Sequence, residues 1–213
     1  MTSPAKIDFV SDVSCPWCAI GLQSLLAALK NVGASPEVHF QPFELNPGMV
    51  PEGEDIAGHI TRKYGSSPQQ FAQSQEMIRG RGAQLGFRFD MDKRTRIYNT
   101  FDAHRLLHWA QLEGKQLELK QALLAAYFGE GADVSDHAVL AKVAGSVGLD
   151  PVRAQAVLAS DEYAADVRSR EEFYRNQGIN AVPAIIINDQ HLIEGGQPVE
   201  VFERVLRQLG VAQ

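Results

Sequence analysis

Ser14-Cys15-Pro16-Trp17-Cys18 is the stretch that decides the fold. It follows a short β-type run, Ile7-Asp8-Phe9-Val10, and leads into a helical pattern with Leu22, Leu25, Leu26 and Leu29 at i, i+3, i+4 and i+7. The only two cysteines of the chain thus stand three apart at a strand-to-helix turn. There the first sulfur meets the unpaired N–H groups and the positive dipole end of a helix, which favour an anion. Thiolate is the reactive form, and CxxC pairs lower the attacking thiol by about 1.5 to 5 pKa units. At about 1.4 kcal/mol per unit, that is about 2–7 kcal/mol. The dipole supplies only about 0.3–2 kcal/mol, so hydrogen bonds to the sulfur, about 1.5–3 kcal/mol each when charged, must supply much of the rest. Pro16 suits the first helical turn, where its missing N–H has no intrahelical use. Cys18 extends the leucine stripe backward by one turn and reads as the sheltered resolving thiol. Cys15 lies beyond the stripe and reads as the exposed attacker.

The competing reading of CxxC is half of a zinc site. A structural zinc takes four ligands, commonly from a second cysteine pair or paired histidines, and the chain has no second cysteine pair. His104 and His108 have the i, i+4 spacing of a two-histidine grip, but no third ligand stands at a telling spacing. They lie opposite the stripe Ala103, Leu106, Leu107, Ala110, as a solvated or interdomain face or as a candidate wall for substrate. Trp17, between the cysteines, is placed beside the reaction centre. Asp12 and Glu44 are candidate buried acids for moving the Cys18 proton.

Working outward, 213 residues make one large domain or a domain with an insertion. The hydrophobic share of 45% and charged share of 22% are those of a soluble globular chain. A net charge of −6 with no Lys/Arg run excludes a nucleic-acid partner. Met1–Lys6 lacks the pattern of a signal peptide, and no apolar run has membrane-spanning length, so a cytoplasmic protein with no membrane partner is expected. In that compartment a lone cysteine pair is usually transient and catalytic.

Val38–Phe43 forms the expected second strand after the first helix, which ends at Gly33. From Leu45 helix signals follow one another for more than a hundred residues. The expected helices are Glu54–Tyr64, one from Ser67-Pro68 toward Leu85, Phe101–Leu112 capped by Thr100, and Leu117–Phe128. His137–Val147 capped by Ser135 and Asp150-Pro151 to Ala159 complete the block. A long helix then starts at Ser160-Asp161-Glu162. Ala184–Ile187 is a buried strand, Asn188-Asp189-Gln190 a turn, His191–Glu194 the returning strand, and Pro198 opens the last helix. The order is βαβ, a helical block, then αββα. Removing the block leaves the thioredoxin arrangement, with CxxC after its first strand. The expected organisation is an α/β fold: residues 1–45 plus 161–213 form a discontinuous thioredoxin-like domain, and 46–160 form an inserted helical subdomain.

Several stretches carry a resemblance: Phe9–Cys18, Pro42-Phe43-Glu44-Leu45-Asn46-Pro47, Asn99–Leu106, Ala126–Gly131, Gly178–Pro183 and Glu194-Gly195-Gly196-Gln197. Together they resemble the DsbA superfamily, a thioredoxin fold with a large all-helical insertion, and within it the FrnE-like cytoplasmic branch. The resemblance implies a thiol:disulfide oxidoreductase or isomerase in which Cys15 attacks and Cys18 resolves. It also implies a cis bond at Val182-Pro183, where extended substrate pairs beside Cys15. No cofactor beyond the redox pair Cys15–Cys18, and no metal, is implied. The implied partners are protein or peptide thiols and disulfides, with glutathione or a thioredoxin-type protein as electron partner. Kappa-type glutathione transferases and 2-hydroxychromene-2-carboxylate isomerases share the fold. They typically carry serine where Cys15 stands and a polar glutathione clamp where this chain has Gly196-Gln197. Asn180-Ala181 also departs from the glycine that many relatives carry near that proline. A non-enzymatic alternative is a redox-sensing chaperone whose helical insert binds unfolded chains.

Overall fold

The computed structural model describes residues 5–211; residues 1–4 of the Met1–Lys6 start lie outside it. The chain runs β1 (Lys6–Ser11), α1 (Pro16–Val32), β2 (Glu37–Pro42), β3 (Glu54–Asp55), α2 (Ile56–Tyr64), α3 (Pro68–Gln84), β4 (Arg96–Ile97) and α4 (Phe101–Leu112). There follow α5 (Gln116–Glu130), α6 (His137–Ser146), α7 (Pro151–Leu158), α8 (Ala164–Asn176), β5 (Ala184–Ile187), β6 (His191–Glu194) and α9 (Val199–Gln208). The main sheet has the order β2-β1-β5-β6. β1 runs parallel to β2, with Phe9 opposite Phe40, and antiparallel to β5, with Phe9 opposite Ile185. This is a thioredoxin fold carrying a large helical insertion. The inserted stretch also holds a short antiparallel ribbon that pairs Glu54 with Ile97 and Asp55 with Arg96.

The two-residue period of a strand divides β1 and β5 between two faces. Ile7, Phe9, Ile185 and Ile187 enter one buried cluster with Leu22 and Leu25 of α1, Phe202 of α9, and Leu106, Leu123 and Tyr127 of the insert. Val10 and Ala184 turn the other way, onto Phe43, Tyr174 and Ile179. α1 packs on α3 and α9, while α4, α5 and α8 pack on β2. One apolar core therefore runs from the sheet into the insert, and the insert is fastened directly beside the first strand.

Local chemistry changed one helix cap and moved two helix ends from their expected places, and the helix expected from Glu54 starts only at Ile56, because Glu54 and Asp55 pair in β3. α6 is capped by Asp136, whose carboxylate accepts the Val139 N–H at 2.9 Å, because the Ser135 hydroxyl is already committed to Asp133. α5 runs through Gly129 and stops at Gly131, which has φ +70. α8 begins at Ala164 because the Arg105 guanidinium takes the carbonyls of Val157, Ser160 and Glu162, holding that connection irregular. The turn between β5 and β6 places Asn188 and Asp189 at φ 52 and 57, the left-handed pair that a tight hairpin requires.

Candidate active site

Cys15 is the N-cap of α1, and Pro16 is its first residue. The Cys15 sulfur accepts the Cys18 N–H at 3.3 Å and lies 3.7 Å from the Val182 carbonyl oxygen, toward which its thiol points. The Val182–Pro183 peptide is cis. Both cysteines are free thiols. This junction depends on two close backbone approaches. A Cβ on Gly21 would stand 3.1 Å from Pro183 Cγ, and one on Gly196 only 2.8 Å from the Trp17 carbonyl oxygen. Gly196 thus lets the chain after β6 lie directly on the first turn of α1. No side chain fits there.

Cys15 is 4% exposed and Cys18 0%. The expectation of an open attacking sulfur is corrected: Val182 lies over Cys15, and Arg94 ties down the Ser14 carbonyl at 3.3 Å. Tyr64, at the end of α2, is near enough that its phenol is pushed up, by burial first and then by the Cys15 charge. Trp17 is half-buried beneath the Arg81 guanidinium, 5.9 Å from its ring.

Beneath the cysteines lies a charged layer. Asp12 is fully buried and accepts the Ser14 hydroxyl at 3.1 Å and the Leu45 N–H at 2.8 Å, with His104 Nε2 at 3.5 Å. Burial works to raise its carboxyl, but the His104 imidazole and these donors override that and hold it below the usual range. Cys18 is shifted the opposite way. Burial pushes its thiol well up, and the nearby Cys15 adds to this, while the Lys120 ammonium pulls down. Lys120 itself is 1% exposed, and its pKa falls chiefly because burial disfavours its charge. Glu44 is buried too, but it faces away from the sulfurs toward α8, where Arg168 bridges it to Glu171.

The predicted site residues therefore separate. Cys15, Pro16, Trp17, Cys18, Val182 and Pro183 meet at one point. His104 is 3% exposed, so it offers no wall to a substrate; its partner is Asp12. His108 is half-buried against Tyr163, 5.0 Å between rings. Among the described residues no group of three or more His, Cys, Asp or Glu side chains gathers to hold a metal. Lys120 escaped the sequence reading although its signal was present. With Gln116, Leu123 and Tyr127 it occupies i, i+4, i+7 and i+11, a lysine in an inward stripe. Arg94 stands in a polar loop, and nothing in its neighbourhood of sequence marks it as buried.

The family model for the DSBA-like thioredoxin domain matches residues 6–207. YwbO of Bacillus subtilis (strain 168) is 28% identical over 202 residues, 94% of this chain and 94% of that protein. The crystal structure of a probable DsbA oxidoreductase from Streptomyces coelicolor has a TM-score of 0.88 and 31% identity, covering 96% of this chain and 89% of that one. The cytosolic disulfide reductase DsbM from Pseudomonas aeruginosa, solved with GSH, shares the fold at a TM-score of 0.68. It is 16% identical, and the match covers 96% of this chain and 99% of that one.

Proposed function

The chain belongs to the DSBA-like thioredoxin domain family, whose solved relatives include disulfide oxidoreductases, and on that premise we propose that it turns over protein disulfides through Cys15 and Cys18. The observation that carries this reading is the placing of the Cys15 sulfur. It sits at the N-terminus of a 17-residue helix, takes the Cys18 N–H at 3.3 Å and touches the Val182 carbonyl, with the second thiol one turn below. Cys15 thiolate attacks a substrate disulfide, giving a mixed disulfide and a free substrate thiolate. Cys18 thiolate then attacks the Cys15 sulfur, closing the internal disulfide and releasing the second substrate thiolate; oxidation of substrate runs the same steps in reverse.

Val182 offers an extended substrate main-chain pairing beside the sulfur, which favours many peptide sequences over one. In this reading residues 1–45 with 161–213 position the sulfurs and supply Asp12, and the inserted 46–160 adds His104 and Lys120 to the charged layer below them. Among the described residues no helix is long and apolar enough to cross a membrane. The cytosol, in the FrnE-like branch, is the proposed compartment. Glutathione, present in the DsbM structure, is the proposed electron partner.

The test is trapping. Cys18→Ser should accumulate a mixed disulfide with a protein substrate, while Cys15→Ser should form none and lose all disulfide turnover. Adducts forming equally on both variants would defeat the assignment.

A further inference from the structure

Arg94 is 6% exposed, yet its Nε has no hydrogen-bond partner. Its guanidinium reaches one acceptor among the described residues, the Ser14 carbonyl oxygen, 3.3 Å from Nη2. That oxygen belongs to the peptide whose nitrogen is that of Cys15, so the cation stands one peptide unit from the first cysteine of the motif. The rest of the group lies against two rings, with the Tyr127 and Phe128 centroids 5.0 and 4.8 Å away. Rings favour a cation but bring no net negative charge. The Tyr127 phenol stays neutral, because it donates to the Arg96 carbonyl at 3.0 Å and burial raises its pKa. Asp12 holds the hydroxyl of the same Ser14, but its ion pair is with His104. Among the described residues Arg94 thus has no carboxylate partner. A buried charge without its opposite is costly to a fold, and a guanidinium cannot escape that cost by shedding a proton.

The cation is also held in place. Arg94 sits in the segment that joins α3 to β4. There the Asp90 N–H donates to the Phe128 carbonyl at 2.8 Å, and the Arg94 N–H to the Asp90 carbonyl at 3.1 Å. The Ile56 N–H donates to the Thr95 carbonyl at 3.0 Å. The Lys93 main chain is pressed against Gly131, where any Cβ would clash with the Lys93 carbonyl. The segment is therefore tied to α5 before Arg94 and to α2 after it. Its charge is fixed before any reaction begins, the arrangement that makes a charge most effective in a dry site.

We propose that Arg94 is the counter-charge of the reduced site: its guanidinium is balanced when Cys15 is a thiolate and left unbalanced when Cys15 and Cys18 join, so it biases the couple toward the dithiol. The proposal rests on the dithiol reading above and names the residue that sets its poise. Arg94 bonds Ser14 and acts on the sulfur across the Ser14–Cys15 peptide, which makes it a positioning residue. Against glutathione the exchange balances in two steps. One glutathione thiolate attacks the Cys15 sulfur; the Cys15–Cys18 bond breaks, and Cys18 takes a proton. A second glutathione thiolate attacks the glutathione sulfur of that mixed disulfide. Glutathione disulfide leaves, and Cys15 is left as the thiolate beside Arg94. The two glutathione sulfurs lose the two electrons that the protein pair gains. Of their two thiol protons, one ends on Cys18 and one in solvent. The cation favours the product of this exchange over its starting disulfide.

The experiment equilibrates the full chain at about pH 7 with reduced and oxidised glutathione in varied ratio, then reads the oxidised fraction after alkylation. In Arg94→Met the equilibrium constant should move about tenfold or more toward the Cys15–Cys18 disulfide, a potential about 30 mV more negative. Arg94→Gln can still donate to the Ser14 carbonyl but carries no charge, so it should move with Arg94→Met; either neutral variant suffices where the other does not fold. Arg94→Lys keeps a cation and should lie nearer the parent than either. Urea unfolding of both redox forms gives a readout that a purely structural role would not move: Arg94→Met should destabilise the reduced form more than the oxidised one, by the same factor as the redox shift. Neutral variants within about twofold of the parent overturn the proposal. So does an Arg94→Lys shift as large as that of Arg94→Met, or an equal loss of stability in both redox forms. A parent whose cysteines do not exchange with glutathione at all overturns the dithiol reading itself; a parent that exchanges normally, with neutral variants unchanged, overturns the role of Arg94 alone.

Discussion

The mouth around Cys15 and the floor under Cys18 are one helical turn apart, yet they are made of different material. At the mouth the partners are main-chain groups, the Cys18 N–H and the Val182 carbonyl, and room is made by Gly21 and Gly196. At the floor the partners are side chains, Asp12, His104 and Lys120, two of them sent in by α4 and α5 of the insert. On the proposed dithiol reading, a main-chain mouth would accept varied substrates, because it recognises what all peptides share. A side-chain floor lies below the surface where substrate arrives, and its charges act on the inner sulfur. The two should also divide stability and chemistry between them. Asp12→Ala leaves the Leu45 N–H, the Ser14 hydroxyl and His104 without their buried acceptor, a loss of about 3–5 kcal/mol. Cys15→Ser puts a good capping residue at the head of α1 and should change stability by less than about 1 kcal/mol while ending turnover. Urea unfolding of both variants at neutral pH checks this, and a Cys15→Ser loss as large as that of Asp12→Ala would break the contrast.

A second comparison stays within the backbone. Gly196→Ala drives a methyl to 2.8 Å from the Trp17 carbonyl, which must shift the first turn of α1; about 1–3 kcal/mol of stability should go. Gly33→Ala, at φ +71 with open space around it, should cost about 1 kcal/mol from conformation alone. The decisive readout is disulfide turnover: it should fall in Gly196→Ala and hold in Gly33→Ala. Equal turnover in the two would mean that the close approach at Gly196 is packing without consequence for the mouth.

The mouth was legible because its signals are local. Ser14–Cys18 names the chemistry within five residues, and the leucine stripe of α1 orients it. The strands Ile7–Val10 and Ala184–Ile187 and the turn at Asn188-Asp189 follow from short-range patterns. The floor was legible only in Asp12, which reads as a candidate buried acid and is buried; Lys120, more than a hundred residues further on, is brought to the sheet only because α5 packs on β2. His104 shows the same limit: its helix face reads as polar, but that face is the one turned onto Asp12. Cys15 reads as exposed from its place beyond the stripe, and only the return of the chain at Val182 covers it.

Asp12 in the floor and Glu44, turned away from it toward α8, are both buried carboxylates, and acid titration should separate them. Asp12 lies below its ordinary value of 3.8: burial opposes its charge, but His104 and the donors around it prevail. Its ionised form is favoured by folding, so its contribution is complete above pH 3.8 and drains away as pH falls through the depressed folded value. Glu44 lies above its ordinary value of 4.5, because burial and the neighbouring Glu171 charge outweigh Arg168. Its protonated form is favoured by folding, so its contribution is present below pH 4.5 and is lost as pH rises through the folded value. Urea midpoints of the parent, Asp12→Asn and Glu44→Gln should be followed from about pH 2 to about pH 7. The parent's advantage over Asp12→Asn should shrink toward the acid end, and its advantage over Glu44→Gln should shrink toward the neutral end. The Glu44 change should be the smaller of the two, since Arg168 offsets part of its cause. Two advantages that shrink in the same direction would mean that Asp12 and Glu44 share one environment, and that the imidazole of His104 does not set them apart.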